Sequence, residues 1–168
     1  MFKSIEMRPN KVYSFLIEGW DDEITGVFVA EGKEWILVWE NQNDFLLDGL
    51  RFVHKTKIEE IIREEDEIFK DKVFSKKYPS SIKTNRYNLD NSYLLFKQIN
   101  EEEDLLHYDL DNDEEIFLGM IGTLEKDALK LKTLTSQAQW SEFVMCPFSE
   151  ISTIAIQNDY LRSLKLML

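Results

Sequence analysis

Two runs of acid hold most of the chemistry this chain could offer: Glu101, Glu102, Glu103 and Asp104, then Asp109, Asp111, Asp113, Glu114 and Glu115 in "DLDNDEEI". Alternating aspartates open a calcium loop, where successive side-chain oxygens converge on one ion. Such a loop also needs glycine at its sixth place and a glutamate at its twelfth, and counted from Asp109 these are Glu114 and Met120. Calcium is therefore not expected, and the acids read as a solvated face or as a docking surface for a basic partner. His54 and His107 are the only histidines; a catalytic triad or histidine metal site would need partners at set distances in space, and each reads as a surface or edge-strand residue. Cys146 is the only cysteine; lying in an apolar run before Pro147, it reads as a buried, inert thiol. No glycine-rich phosphate loop, Gly-x-Ser-x-Gly or Cys-x-x-Cys occurs. The expectation is a protein without catalytic residues, metal or cofactor, and not an enzyme.

The bulk composition narrows the partners further. Of 168 residues 43% are hydrophobic, enough to bury a substantial core. Against 20 Lys and Arg stand 32 Asp and Glu, a net charge of −12, and both halves are acidic: 12 against 17 in residues 1–77, 8 against 15 in residues 78–168. Nucleic acid is bound through Lys and Arg on phosphates, so this balance disfavours it and favours a basic protein partner. The N-terminal stretch breaks every apolar run with charge, and no segment is long enough to span a membrane. With a single cysteine, a soluble cytoplasmic protein is expected.

Positioning such groups falls to elements that recur. Shifting the sequence by 93 residues without a gap lays residues 12–73 on 105–166, with 28 apolar residues in the first copy, 29 in the second and 20 coincidences over 62 positions, where random placement gives roughly 13. Gly26 falls on Gly119, Ile36 on Leu129, Val38 on Leu131, Phe52 on Met145 and Ile61 on Ile154. Each copy reads as four or five short strands: "KVYSFLIEGW" with "LLHYDL", "ITGVFVA" with "FLGMIGT", "EWILVWE" with "DALKLKTL", "LRFVHK" with "EFVMCPF", and a closing Ile-x-x-Ile. A strand to about residue 63 and a helix from Glu64 to Lys76 are expected, with a capping pattern also present at Thr56 and Glu59. A short helix capped by Asn or Ser is expected in "NSYLLFKQIN". The divisions are a first unit at 1–77 with its core at 12–73, a linker with a short helix at 78–104, and a second unit at 105–168.

This order of strand, glycine, strand, turn, strand, turn, strand and Ile-x-x-Ile, given twice, resembles the SH3-like and Sm-like small barrels over about 125 residues. The resemblance implies a mainly β fold with short helices, two such barrels in tandem by internal duplication. Sm-like proteins bind RNA, but their Asp-x-x-x-Asn loop is missing from "KEWILVWEN" and "KDALKLKT", and their Arg-Gly pair from "FVHKTKI" and "VMCPFSEI". The barrel carries over and the RNA activity does not.

Comparing the copies separates inside from outside, since a position apolar in both should face the core. Ile36/Leu129 and Val38/Leu131 pass that test. Leu37 falls on Lys130, Trp39 on Lys132, Leu16 on Asp109, Trp20 on Asp113 and Leu46 on Gln139. Leu16, Trp20, Leu37, Trp39 and Leu46 are thus expected to form an extra apolar face of the first copy, covered by the 91–99 helix through Leu94, Leu95 and Ile99, by the second copy, by a homodimer or protein partner, or by a small ligand. The functional expectation is a non-enzymatic binding protein, such as an acidic immunity-type inhibitor of a basic toxin or nuclease. The alternatives are an Sm-like RNA binder using Arg51, Lys55 and Lys57, or a small-ligand barrel.

Overall fold

Strand-forming segments separated by short turns fill most of the chain, and the computed structural model, which describes residues 5–79, 87–102, 105–110 and 116–168, joins them in one antiparallel sheet. The first copy contributes β1 (Val12–Ile17), β2 (Ile24–Glu31), β3 (Trp35–Glu40), β4 (Leu50–His54) and β5 (Ile58–Ile62), followed by helix α1 (Glu65–Lys77). After helix α2 (Ser92–Glu101) come β6 (Leu106–Leu110), β7 (Ile116–Leu124), β8 (Ala128–Leu134), β9 (Trp140–Pro147), β10 (Ile151–Ile156) and helix α3 (Asp159–Lys165). Among the described residues the ten strands lie in the order β5-β1-β2-β3-β4-β10-β6-β7-β8-β9. The fold is mainly β, as expected. The sheet does not close on itself, and β5 and β9 are its two edges.

The shift of 93 residues reappears in the pairing. Tyr13 faces Gly26 as Leu106 faces Gly119, and Trp35 faces His54 as Ala128 faces Pro147. Even the irregularities recur: the β2–β3 register slips between Phe28 and Ala30, the β7–β8 register between Ile121 and Thr123. Single-turn 3-10 helices stand at Lys55–Lys57 and Phe148–Glu150. Gly26 and Gly119 have the same cause, because a Cβ there would strike the carbonyl oxygen of Trp39 or of Lys132, itself 93 residues further on.

The core test holds: Ile36, Val38, Leu129 and Leu131 are all fully buried. Ile36 and Val38 join Tyr13, Phe15, Phe28, Val53, Ile58 and Ile61 in a cluster to which all five strands of the first copy contribute. A second, larger cluster spans the two copies, uniting Leu37, Leu50 and Phe52 with Leu95, Phe96 and Ile99 of α2 and with Leu106, Tyr108, Ile154 and Ile156. Trp35 pins α2 there, its indole N–H donating to Ser92 Oγ at 3.0 Å and its ring meeting Phe96 edge-on.

The expected helices form close to their sequence bounds, and the caps explain where they start. Glu64 and Glu67 make a reciprocal capping box for α1, while the Thr56/Glu59 pattern caps nothing. Its residues lie in the 3-10 turn and in β5, where Thr56 N–H turns to His54 Nδ1. Asn91 caps α2 by accepting from Leu94 N–H at 3.0 Å, and Asn158 caps α3 by accepting from Leu161 N–H at 2.8 Å.

The apolar face expected of the first copy is divided. Leu37 lies in the shared cluster; Trp20 packs on the first copy's own core; Trp39 packs on Val12, Val27, Phe74 and Tyr78; Leu46 is exposed and Leu16 half-buried. Trp39 is separated from Leu37 because α1 crosses its part of the sheet, with Tyr78 at 5.1 Å from the indole. Leu95 and Ile99 cover Leu37 as expected, but Leu94 points outward at 42% exposure.

Candidate functional site

Among the described residues two sets of charged groups bear on function, one built around a buried arginine and one of exposed acids. The first lies where β4 meets β10. Arg51, 5% exposed, donates from Nε and Nη2 to the two oxygens of Glu40 at 3.0 and 2.8 Å, and from Nη1 to Asp109 Oδ2 at 2.8 Å and Thr153 Oγ1 at 2.9 Å. Thr153 in turn donates to Asp109 Oδ2 at 2.6 Å. Asp109 therefore does not belong to an exposed acidic surface, as its sequence neighbours suggested; it is 5% exposed and tied to the other copy. Burial pushes its carboxyl up, but His107, Arg51 and Thr153 together outweigh burial and hold it below the ordinary value of 3.8. His107 Nε2 stands 3.7 Å from Oδ1. Burial acts to lower Arg51, and the charges of Glu40 and Asp109 overcome it. The four main residues of this network come from β3, β4, β6 and β10, so it fixes the register between the copies. It also removes Arg51 from the basic cluster expected with Lys55 and Lys57, and Lys55 is paired with Glu31 at 2.6 Å.

The other set is unbalanced. At the start of α1, a groove of about 390 Å³ is lined by Glu23, Ile62, Glu64, Glu65, Asp66 and Glu67. Glu67 is buried and fully used, accepting from Ser14 Oγ at 2.7 Å and from Glu64 N–H at 2.8 Å. Glu23, Glu64, Glu65 and Asp66 are exposed. The positive end of the helix dipole accommodates acids in its first turn. It does not neutralise them: partial burial and then Glu67 raise Glu23 above the ordinary 4.5, Asp66 adds to this, and Lys70 acts the other way. Lys70 is itself bonded to Asn41 Oδ1 at 2.8 Å. Further exposed acids lie in the same two segments, Glu18, Asp21 and Asp22 in the β1–β2 turn and Glu59 and Glu60 on β5.

The sequence pointed to a different acidic surface. Glu101 is exposed at the end of α2, and Glu102 accepts from Tyr87 Oη at 3.0 Å. Glu103, Asp104, Asp111, Asp113, Glu114 and Glu115 lie outside the described residues. The α1 groove went unread because its acids come from two segments about 40 residues apart that only the order β5-β1-β2 brings together; the visible signal was the pair "EGWDDE" and "IEEIIREED".

Among the described residues no cluster of three or more His, Cys, Asp or Glu could hold a metal ion, and no helix is long and apolar enough to cross a membrane. Cys146 is 1% exposed. A larger groove of about 510 Å³ lies at the start of α2, where Glu34 already accepts from the amide and hydroxyl of Ser92 at 2.8 and 2.6 Å. Comparison with family models, with curated proteins and with solved structures finds no match.

Proposed function

We propose that this chain is a non-enzymatic cytoplasmic protein-binding protein, an acidic immunity-type inhibitor that masks the basic cleft of a toxin such as a nuclease. The observation that carries the reading is the set of exposed carboxylates Glu23, Glu64, Glu65 and Asp66 around one groove, where partial burial first, and then the charges of Glu67 and Asp66, raise the affinity of Glu23 for a proton. Lysine or arginine side chains entering that groove would relieve the repulsion, and complementary charge speeds encounter more than it deepens affinity. The architecture behind it would be two SH3- or Sm-like units derived by duplication, with the first unit presenting the acids. RNA binding is the weaker reading, because Arg51 is consumed by Glu40 and Asp109.

The test is capture from the native host with the wild-type chain and with the combined variant Glu23→Gln, Glu64→Gln, Glu65→Gln and Asp66→Asn. A basic protein retained by wild type at low salt and lost by the variant is the expected outcome. Equal capture by both, or a partner without a basic face, removes this surface as the binding site; neutralising Glu101 and Glu102 then tests the second acidic run.

A further inference from the structure

The joint inside the chain has an unused duplicate at its ends. β4 is paired with β10, and the counterparts of those strands 93 residues away, β9 and β5, are the two edges of the sheet among the described residues. Exposure records the difference: on β4, Leu50 and Phe52 are 7% and 0% exposed, whereas their counterparts Phe143 and Met145 on β9 are 53% and 50% exposed. From Phe143 to Pro147 this edge carries no charge, and an uncharged apolar edge strand is a ready template for another strand.

We propose that copies of this chain join end to end, β9 of one against β5 of the next, in the register that joins β4 to β10 within each. In the internal joint Phe52 faces Ile154 and Arg51 faces Ala155. Moved by one repeat, the same register sets Met145 opposite Ile61 and Val144 opposite Ile62 of the neighbour, apolar on apolar at the centre, with Phe143 opposite Arg63 and Cys146 opposite Glu60 at the ends. Lys130 and Lys132 flank β9 on the Phe143 face, 4.8 Å over the ring of Phe143 and 4.5 Å over that of Trp140, while β5 carries the exposed Glu59 and Glu60, of which Glu60 falls on the Val144 face. One counterpart does not transfer. Gly49 admits the backbone of Asn158 where a Cβ would stand 2.6 Å away, and Glu142 occupies the equivalent place. The contact therefore covers residues 143–146 and does not seat the neighbour's α1 as α3 is seated. Being heterologous, it repeats from chain to chain, into a ring or a filament as the rotation dictates.

Val144 reports the contact with opposite signs. In the internal joint its counterpart Arg51 reaches diagonally to Thr153, whose counterpart is Glu60. Val144→Glu would meet Glu60 of the neighbour and Val144→Arg would pair with it. Native mass and sedimentation of the full chain from micromolar to millimolar concentration should show wild type growing in steps of one chain. Association should weaken by up to about fivefold in V144E and not in V144R, since charges across a strand pair contribute up to about 1 kcal/mol. Mixing V144E with Glu60→Lys chains should restore pairing of one with the other. A chain that stays monomeric throughout, V144E and V144R behaving alike, or a mixture no better than V144E alone overturns the proposal; the last is what a symmetric β9 pair, or an edge kept for a foreign strand, would give. Thermal unfolding checks that each variant is folded. Should a Val144 variant unfold, Glu59→Lys with Glu60→Lys gives the same reading from exposed positions, as a basic β5 edge should associate less. The proposal does not rest on binding of a basic protein, and the acid-neutralised groove variant leaves β9 intact.

Discussion

Arg51 and Glu23 show how differently two charged residues can be used. Arg51 is one cation between two buried carboxylates, so removing it leaves Glu40 and Asp109 without a counter-charge. Arg51→Met should cost about 3–5 kcal/mol in urea unfolding, as expected when one member of a buried ion pair is deleted. Asp109 gives the same network a pH signature. Its folded carboxyl releases its proton more readily than the ordinary 3.8 of the unfolded chain. The stabilisation is therefore full above that value and is lost as pH falls through the lower folded value. Asp109→Asn should be less stable at neutral pH and show a shallower acid limb. Glu23 runs the other way. Raised above 4.5 by burial and by Glu67, it keeps its proton where the unfolded chain has lost it, so its contribution to stability declines as pH rises through that window. Glu23→Gln should remove this decline, leaving the free protein no less stable at neutral pH while weakening its hold on a basic partner.

At the scale of elements, the repeat is the part of the fold the residues announce. Glycine at 26 and 119, matched apolar positions in the strands, and the helix expected from residue 64 all reappear in the observed β1–β5, α1 and their counterparts. The close approach at the glycines predicts that Gly26→Ala and Gly119→Ala each lower stability by about 1–3 kcal/mol, the scale of an overpacked site, because the obstacle is a carbonyl oxygen that cannot rotate away. Thermal melts of the two variants should show comparable losses. Pairing between copies was not legible. Asp109 looked like one more acid in a run because the guanidinium that buries it is 58 residues away in sequence. The extra apolar face was read as continuous because alternation along a strand says which side a residue takes and not what lies over it. α1 covers Trp39 while α2 and the second copy cover Leu37. The acidic groove was hidden for the same reason, its acids being neighbours in the sheet and not in the chain.

The whole molecule is a single sheet in which the linker helix and the second copy supply the cover that the first copy lacks. Residues 1–77 expressed alone would leave Leu37, Leu50 and Phe52 bare, and should bind a hydrophobic dye and aggregate where the full chain does not. A net charge of −12 surrounds this sheet, and the exposed acids gathered at the start of α1 are less compensated than the buried Glu40 and Asp109, which share Arg51. That inequality is the central claim, and the association rate with the captured partner, measured against ionic strength, tests it most directly. For wild type the rate should fall steeply with added salt, and for the variant neutral at Glu23, Glu64, Glu65 and Asp66 it should be slower at low salt and nearly flat. Equal slopes for the two proteins would contradict the claim that this groove receives the basic partner.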